Sequence, residues 1–150
     1  MTTPTPYEAR IAIEARLFEL LSPAYEAGEI VIVQPGEEVA PDLKKIQVIH
    51  TVNPGIVGVG EVDIARGISP RIGVYIITLS VPNDVQQLSR AWELAGELEQ
   101  CFRGVTLSSD KGKVYVNEPY TTNVGELPDS RLGLSVTVNW WAWTGGKGAE

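Results

Sequence analysis

The segment from Arg71 to Phe102 constrains this chain more than any other. Arg71–Val81 (RIGVYIITLSV) is apolar on both parities at its centre, so a strand there should be covered on both faces. Pro82 ends the strand and Asn83 or Asp84 caps the next helix. From Val85 to Phe102, the residues Val85, Leu88, Ala91, Trp92, Leu94, Ala95, Leu98, Cys101 and Phe102 recur on one side, and Gln86, Ser89, Arg90, Glu93, Glu97 and Gln100 on the other. That spacing predicts an amphipathic helix over about 84–102.

The flanking elements come from local chemistry. Thr5-Pro6-Tyr7-Glu8 places a hydroxyl at the N-cap, Pro at the first helical position and a carboxylate at the third, so a first helix should begin there. It should run over about 6–21 and stop before Pro23, which disfavours helical dihedrals in the residue before it. Ile13, Leu17, Leu20 and Leu21 form one apolar arc, and Tyr7, Ile11 and Phe18 a second. Residues 29–33 (EIVIV) and 46–52 (IQVIHTV) read as strands. Residues 105–108 and 113–117 read as a hairpin about Asp110-Lys111-Gly112. Residues 119–131 read as a polar loop, and the alternating segment 132–143 as the last strand. The order α-β-β-β-α-β-β-β implies one α+β domain over residues 1–150, mainly antiparallel sheet packed by two helices, with mobile ends at about 1–5 and 144–150.

Charge narrows the partners. The net charge is −7, and the 12 basic residues are scattered, with Lys44-Lys45 the one adjacent pair. Nucleic acid gripped by its phosphates needs clustered cations, so that class is disfavoured. An acidic surface aids solubility and would also suit a wall past which DNA slides. No apolar run is long enough for a bilayer span, and no basic-then-apolar start suggests a signal peptide. The single cysteine, Cys101, excludes an intrachain disulfide framework and suits a reducing compartment.

The chemistry-bearing residues are sparse. The single histidine, His50, sits on an apolar strand face with no nucleophile motif beside it, and reads as structural. Cys101 lies at the edge of a helix's apolar side, where a thiol packs inertly. No metal-ligand spacing occurs. Gly58-Val59-Gly60 lacks the remaining residues of either phosphate-binding loop. No catalytic residue, cofactor or metal is therefore expected, and replacing His50 or Cys101 by Ala should cost only modest stability.

Two features suit a protein contact instead. Residues 53–70 read as a loop too long for a simple connection, and Ile56, Val57, Val59, Val62, Ile64 and Ile68 make it more apolar than a solvated loop should be. Arg66 within it could pair with an acidic neighbour. In Trp140-Trp141-Ala142-Trp143, Trp140 has the inward parity, leaving Trp141 and Trp143 on the polar face of the strand, where large aromatics usually need a partner.

The segments ARLFELL, RIGVYIITLSVP, SRAWELAGELEQCFRGVTLSS, KVYVNEP and LGLSVTVNWWAW, taken in order, resemble the tail-terminator family of long-tailed phages over most of residues 7–143. The junction Phe102-Arg103-Gly104-Val105-Thr106-Leu107 is the most telling segment. The resemblance implies an α+β subunit of a homo-hexameric ring at the head-proximal end of the virion tail. That ring caps the tail tube, stops its polymerisation and meets the head-neck connector proteins, with DNA only passing through. Another neck protein, a head-completion or head-tail joining subunit, is the alternative within this class, and a small enzyme is the alternative outside it.

Overall fold

A computed structural model describes residues 6–34, 44–57, 68–109 and 111–145. In chain order the elements are α1 (Pro6–Glu26), β1 (Ile30–Val33), β2 (Ile46–Val57), β3 (Ile68–Pro82), α2 (Val85–Phe102), β4 (Thr106–Ser109), β5 (Gly112–Val116), β6 (Tyr120–Leu127) and β7 (Arg131–Gly145), with a 3₁₀ turn, Pro128–Ser130, before β7. The fold is α+β. Strands run β1-β2-β3-β7-β5-β4 across one sheet, and β6 also pairs with β7. Every pairing is antiparallel except β1 with β2.

Helix α1 does not stop at Ser22. It continues through Pro23, whose ring removes only one donor, while the Ser22 hydroxyl donates to the Phe18 carbonyl at 2.7 Å. Burial of Ala24 in the extra turn helps offset the lost bond. The actual stop is Gly28 at φ 76°. Gly28 N–H donates to the Tyr25 carbonyl at 3.1 Å and Glu29 N–H to the Ala24 carbonyl at 2.9 Å, the paired closing bonds of a Schellman end. Gly28→Ala should cost about 1 kcal/mol through the left-handed backbone alone. The check is the urea midpoint; an unchanged midpoint would mean the turn relaxes freely.

Two segments read as loops contain strand. Asn53–Val57 extends β2 and Ile68–Pro70 opens β3, with Ile56 opposite Ile72, Val57 opposite Arg71, and an irregularity between Asn53 and Ile56. Proline and glycine hid the strand, because Pro54-Gly55 reads as a turn yet falls at that irregularity. Residues 120–127 form β6, bulged between Asn123 and Gly125, where Gly125 takes φ 88°. The second half of the chain therefore holds four strands. Thr144 and Gly145, expected in a mobile end, continue β7 opposite Ser69 and Ile68. The expected N-cap Thr5 and the turn residue Asp110 lie outside the described residues.

Both helices bury their apolar sides against one face of the sheet. Ala9, Ile13, Leu17 and Leu21 of α1 and Ala91, Leu94, Ala95, Leu98 and Phe102 of α2 join Tyr75, Ile77, Leu79, Val136, Val138 and Trp140 in one core. Two close fits lock its central strands. Gly73 lies opposite Trp140 in the β3–β7 register, and the indole occupies the space that a Cβ at position 73 would need. Arg131, read as part of a polar loop, is instead 4% exposed. Its Nε donates to Ser80 Oγ at 2.7 Å, and one terminal nitrogen donates to the carbonyls of Ser80 (2.8 Å) and Lys45 (2.6 Å). One guanidinium thus ties the start of β7 to the end of β3 and the entrance of β2.

Candidate functional site

The opposite face of the sheet carries no helix among the described residues. Its central rows are Ile72, Val74, Ile76 and Thr78 on β3, and Trp141, Asn139, Thr137 and Ser135 facing them on β7. Apolar character on both parities of β3 led to the expectation of cover on both faces. Instead Ile72 is 50% exposed, and Val74 and Ile76 are only half-buried. Thr78 and Ser135 share a hydroxyl hydrogen bond at 3.2 Å, satisfying each other across the strands.

Aromatic rings concentrate at one end of this face. Tyr115 stacks on Trp141 with centroids 4.3 Å apart, and Trp141 meets Trp143 edge-on at 6.0 Å. Such pairs are worth about 0.5–1.5 kcal/mol beyond their buried area. Trp141 and Trp143 are half-buried by this self-packing, while Trp140, of the opposite parity, is fully buried. Tyr115 was not singled out in the sequence; its pairing across β5 and β7 depends on a register invisible there.

The register also unites the two surfaces singled out separately. Ile56 pairs with Ile72, which pairs with Trp141; Val57 pairs with Arg71; Pro70 pairs with Trp143; and Ile68 pairs with Gly145. The backbone of Ile56, Val57 and Ile68 thus belongs to the same end of the sheet as the tryptophans. Val59, Val62, Ile64 and Arg66, like Gly58-Val59-Gly60, lie outside the described residues.

Charge differs sharply between the two sides. No carboxylate occupies a strand position facing the open side among the described residues; the exposed Lys113 and the buried Arg131 supply the charge there. The helix layer is acidic at its surface. Glu93 and Glu97 of α2 flank Arg90 at 3.6 Å each and remain 71% and 51% exposed in their side chains. Between α1 and α2 runs a groove of about 790 Å³, with Leu20, Gly96 and Cys101 along it and Arg16, Glu19 and Glu97 at its rim. Val85 and Trp92, expected on the apolar side of α2, are instead 82% and 47% exposed, because they sit at the helix start and at the edge of its buried stripe; Trp92 lies one turn before Gly96.

His50 is more deeply set than its sequence context suggested. It is fully buried, shares a 2.6 Å hydrogen bond through Nδ1 with the Tyr75 hydroxyl, and meets Phe18 edge-on at 5.4 Å. Glu14, held at 2.7 Å by Arg10, approaches Nδ1 to 3.7 Å. Burial lowers the His50 pKa below its ordinary 6.5, Glu14 opposes the shift and Arg10 reinforces it. As pH falls through 6.5 the unfolded chain takes up the proton first, so stability is drawn down below that pH and unaffected above it. His50→Gln should therefore flatten the loss of urea stability between pH 7 and pH 5; an identical slope would remove His50 as its cause. His50→Ala leaves a cavity and strips Tyr75 of its partner, for an expected cost of about 3 kcal/mol rather than a modest one. Burial also raises the Tyr75 and Cys101 pKa values, so neither ionises near neutrality. Arg16 donates to the Cys101 carbonyl at 3.1 Å, pinning α1 to α2.

Among the described residues no three His, Cys, Asp or Glu side chains converge as metal ligands, and no helix is long and apolar enough to cross a membrane. No protein-family model matches the chain, and no curated protein matches it. A solved structure whose name carries no function is similar in fold, with a TM-score of 0.62 and 16% identity, covering 89% of this chain and 94% of its own.

Proposed function

We propose that this chain is a tail terminator of a long-tailed phage. In this reading it forms a homo-hexameric ring at the head-proximal end of the virion tail. The ring caps the tube of tail protein, stops its growth and offers its other side to the head-neck connector proteins, and DNA passes through without sequence-specific contact. The observation that carries the reading is the open sheet face, where Ile72, Tyr115, Trp141 and Trp143 form apolar surface that a permanently assembled subunit would bury. The resemblance of its ordered segments to tail terminators supplies the kind of ring. The reading assigns no catalytic role to His50, bonded to the Tyr75 hydroxyl, or to Cys101, held against Arg16.

Native mass spectrometry and negative-stain imaging of the purified protein test this directly. The expected result is a hexameric ring that, added to growing tail tubes, halts elongation. A protein that stays monomeric at high concentration, or turns over a generic ester substrate, would overturn it.

A further inference from the structure

The two sides of the subunit are unlike in a way that fits one against the other. We infer that the ring closes head to tail, the open sheet face of one copy seated on the helix layer of the next. This rests on the ring reading above and specifies the contact within it.

Charge selects the pairing. Two copies of a chain with net charge −7 repel, and helix layer against helix layer would set Glu93 and Glu97 against acidic groups of the same kind. Sheet face against sheet face would oppose Lys113 to another cationic face. Sheet face against helix layer instead brings a face with no carboxylate at its described strand positions, bearing Lys113, to the acidic rim around Glu97. It also places Ile72 and the aromatic cluster near the exposed Trp92 and the groove along Gly96, where the space a Cβ would take is open and a neighbour can approach closely. The helices and the open face lie on opposite sides of the sheet, so the contact joins two different patches. Such a contact propagates from copy to copy and forms a ring when the rotation between copies closes, whereas a self-complementary patch stops at a dimer.

The test uses the whole chain with Ile72→Glu on the sheet face and Trp92→Glu on the helix layer, both at exposed positions. Lys113→Glu serves as a second face variant if Ile72→Glu loses the wild-type circular dichroism. Each variant alone should be monomeric by native mass spectrometry at concentrations where wild type is a ring. Mixed one to one, they should form a heterodimer, because each retains the half of the contact that the other lacks. A wild-type ring with either position indifferent to Glu, or a mixture that stays monomeric, overturns the head-to-tail contact and leaves the ring reading standing. A monomeric wild type overturns both.

Discussion

Gly73→Val should be among the most damaging single substitutions in this protein, costing about 3 kcal/mol, the upper end of ordinary overpacking. The Trp140 indole is fully buried and already fills the volume above Gly73, in register across the two central strands. A Cβ at position 73 would come within 2.3 Å of the ring, so strand or ring must shift. Trp140→Ala alone should cost about 3–5 kcal/mol through the cavity it leaves. Combined, the two changes should cost clearly less than their sum, because the valine fills part of that cavity. A double-mutant cycle in urea reads the coupling; strict additivity would mean that glycine and tryptophan do not share the space.

Arg131→Met should rank with it, at about 3–5 kcal/mol, despite similar bulk and added apolar character. The guanidinium satisfies the Ser80 hydroxyl and the Ser80 and Lys45 carbonyls at once, and its loss strands polar groups away from water. Lysine should not rescue it, because one ammonium cannot reproduce the planar fork. Calorimetry should show a fall in melting temperature of about 10 °C for both variants. Full rescue by Arg131→Lys would mean that one point charge suffices.

The legible parts of the fold were those where a single periodicity ran uninterrupted. Helix α2 and strands β3 and β7 announce themselves because burial imposes their pattern on consecutive residues. The elements that escaped were decided at a distance. Strand β6 exists because β7 offers it a free edge and Thr121 bonds Glu99 on α2, so its residues carry little burial signal of their own. The extension of β2 passes through Pro54-Gly55, which locally argue for a turn. Helix α1 runs past Pro23 because its last turn is held by Ala24 and closed at Gly28, a glycine the sequence displays but does not rank above proline as a stop. The surplus tryptophans were legible as candidate surface; that β3 brings Ile72 beside Trp141 was not, since register depends on both strands together. Residues 53–70, which read as one loop, in fact include the last residues of β2 and the first of β3.

Strand β7 hydrogen-bonds to β3, β5 and β6, yet comes after all of them in the chain. A ribosome delivers β3 with its β2 partner available, but the other edge of that hairpin must wait until the segment beyond Arg131 has emerged. During that interval RIGVYIITLSV is an unpaired, strongly apolar edge, the kind of segment on which nascent chains misassociate. Closure then requires contacts between segments about fifty or more residues apart, so the final step should be slow compared with formation of the helices. Chaperone demand during synthesis would thus concentrate in the window between β3 and β7.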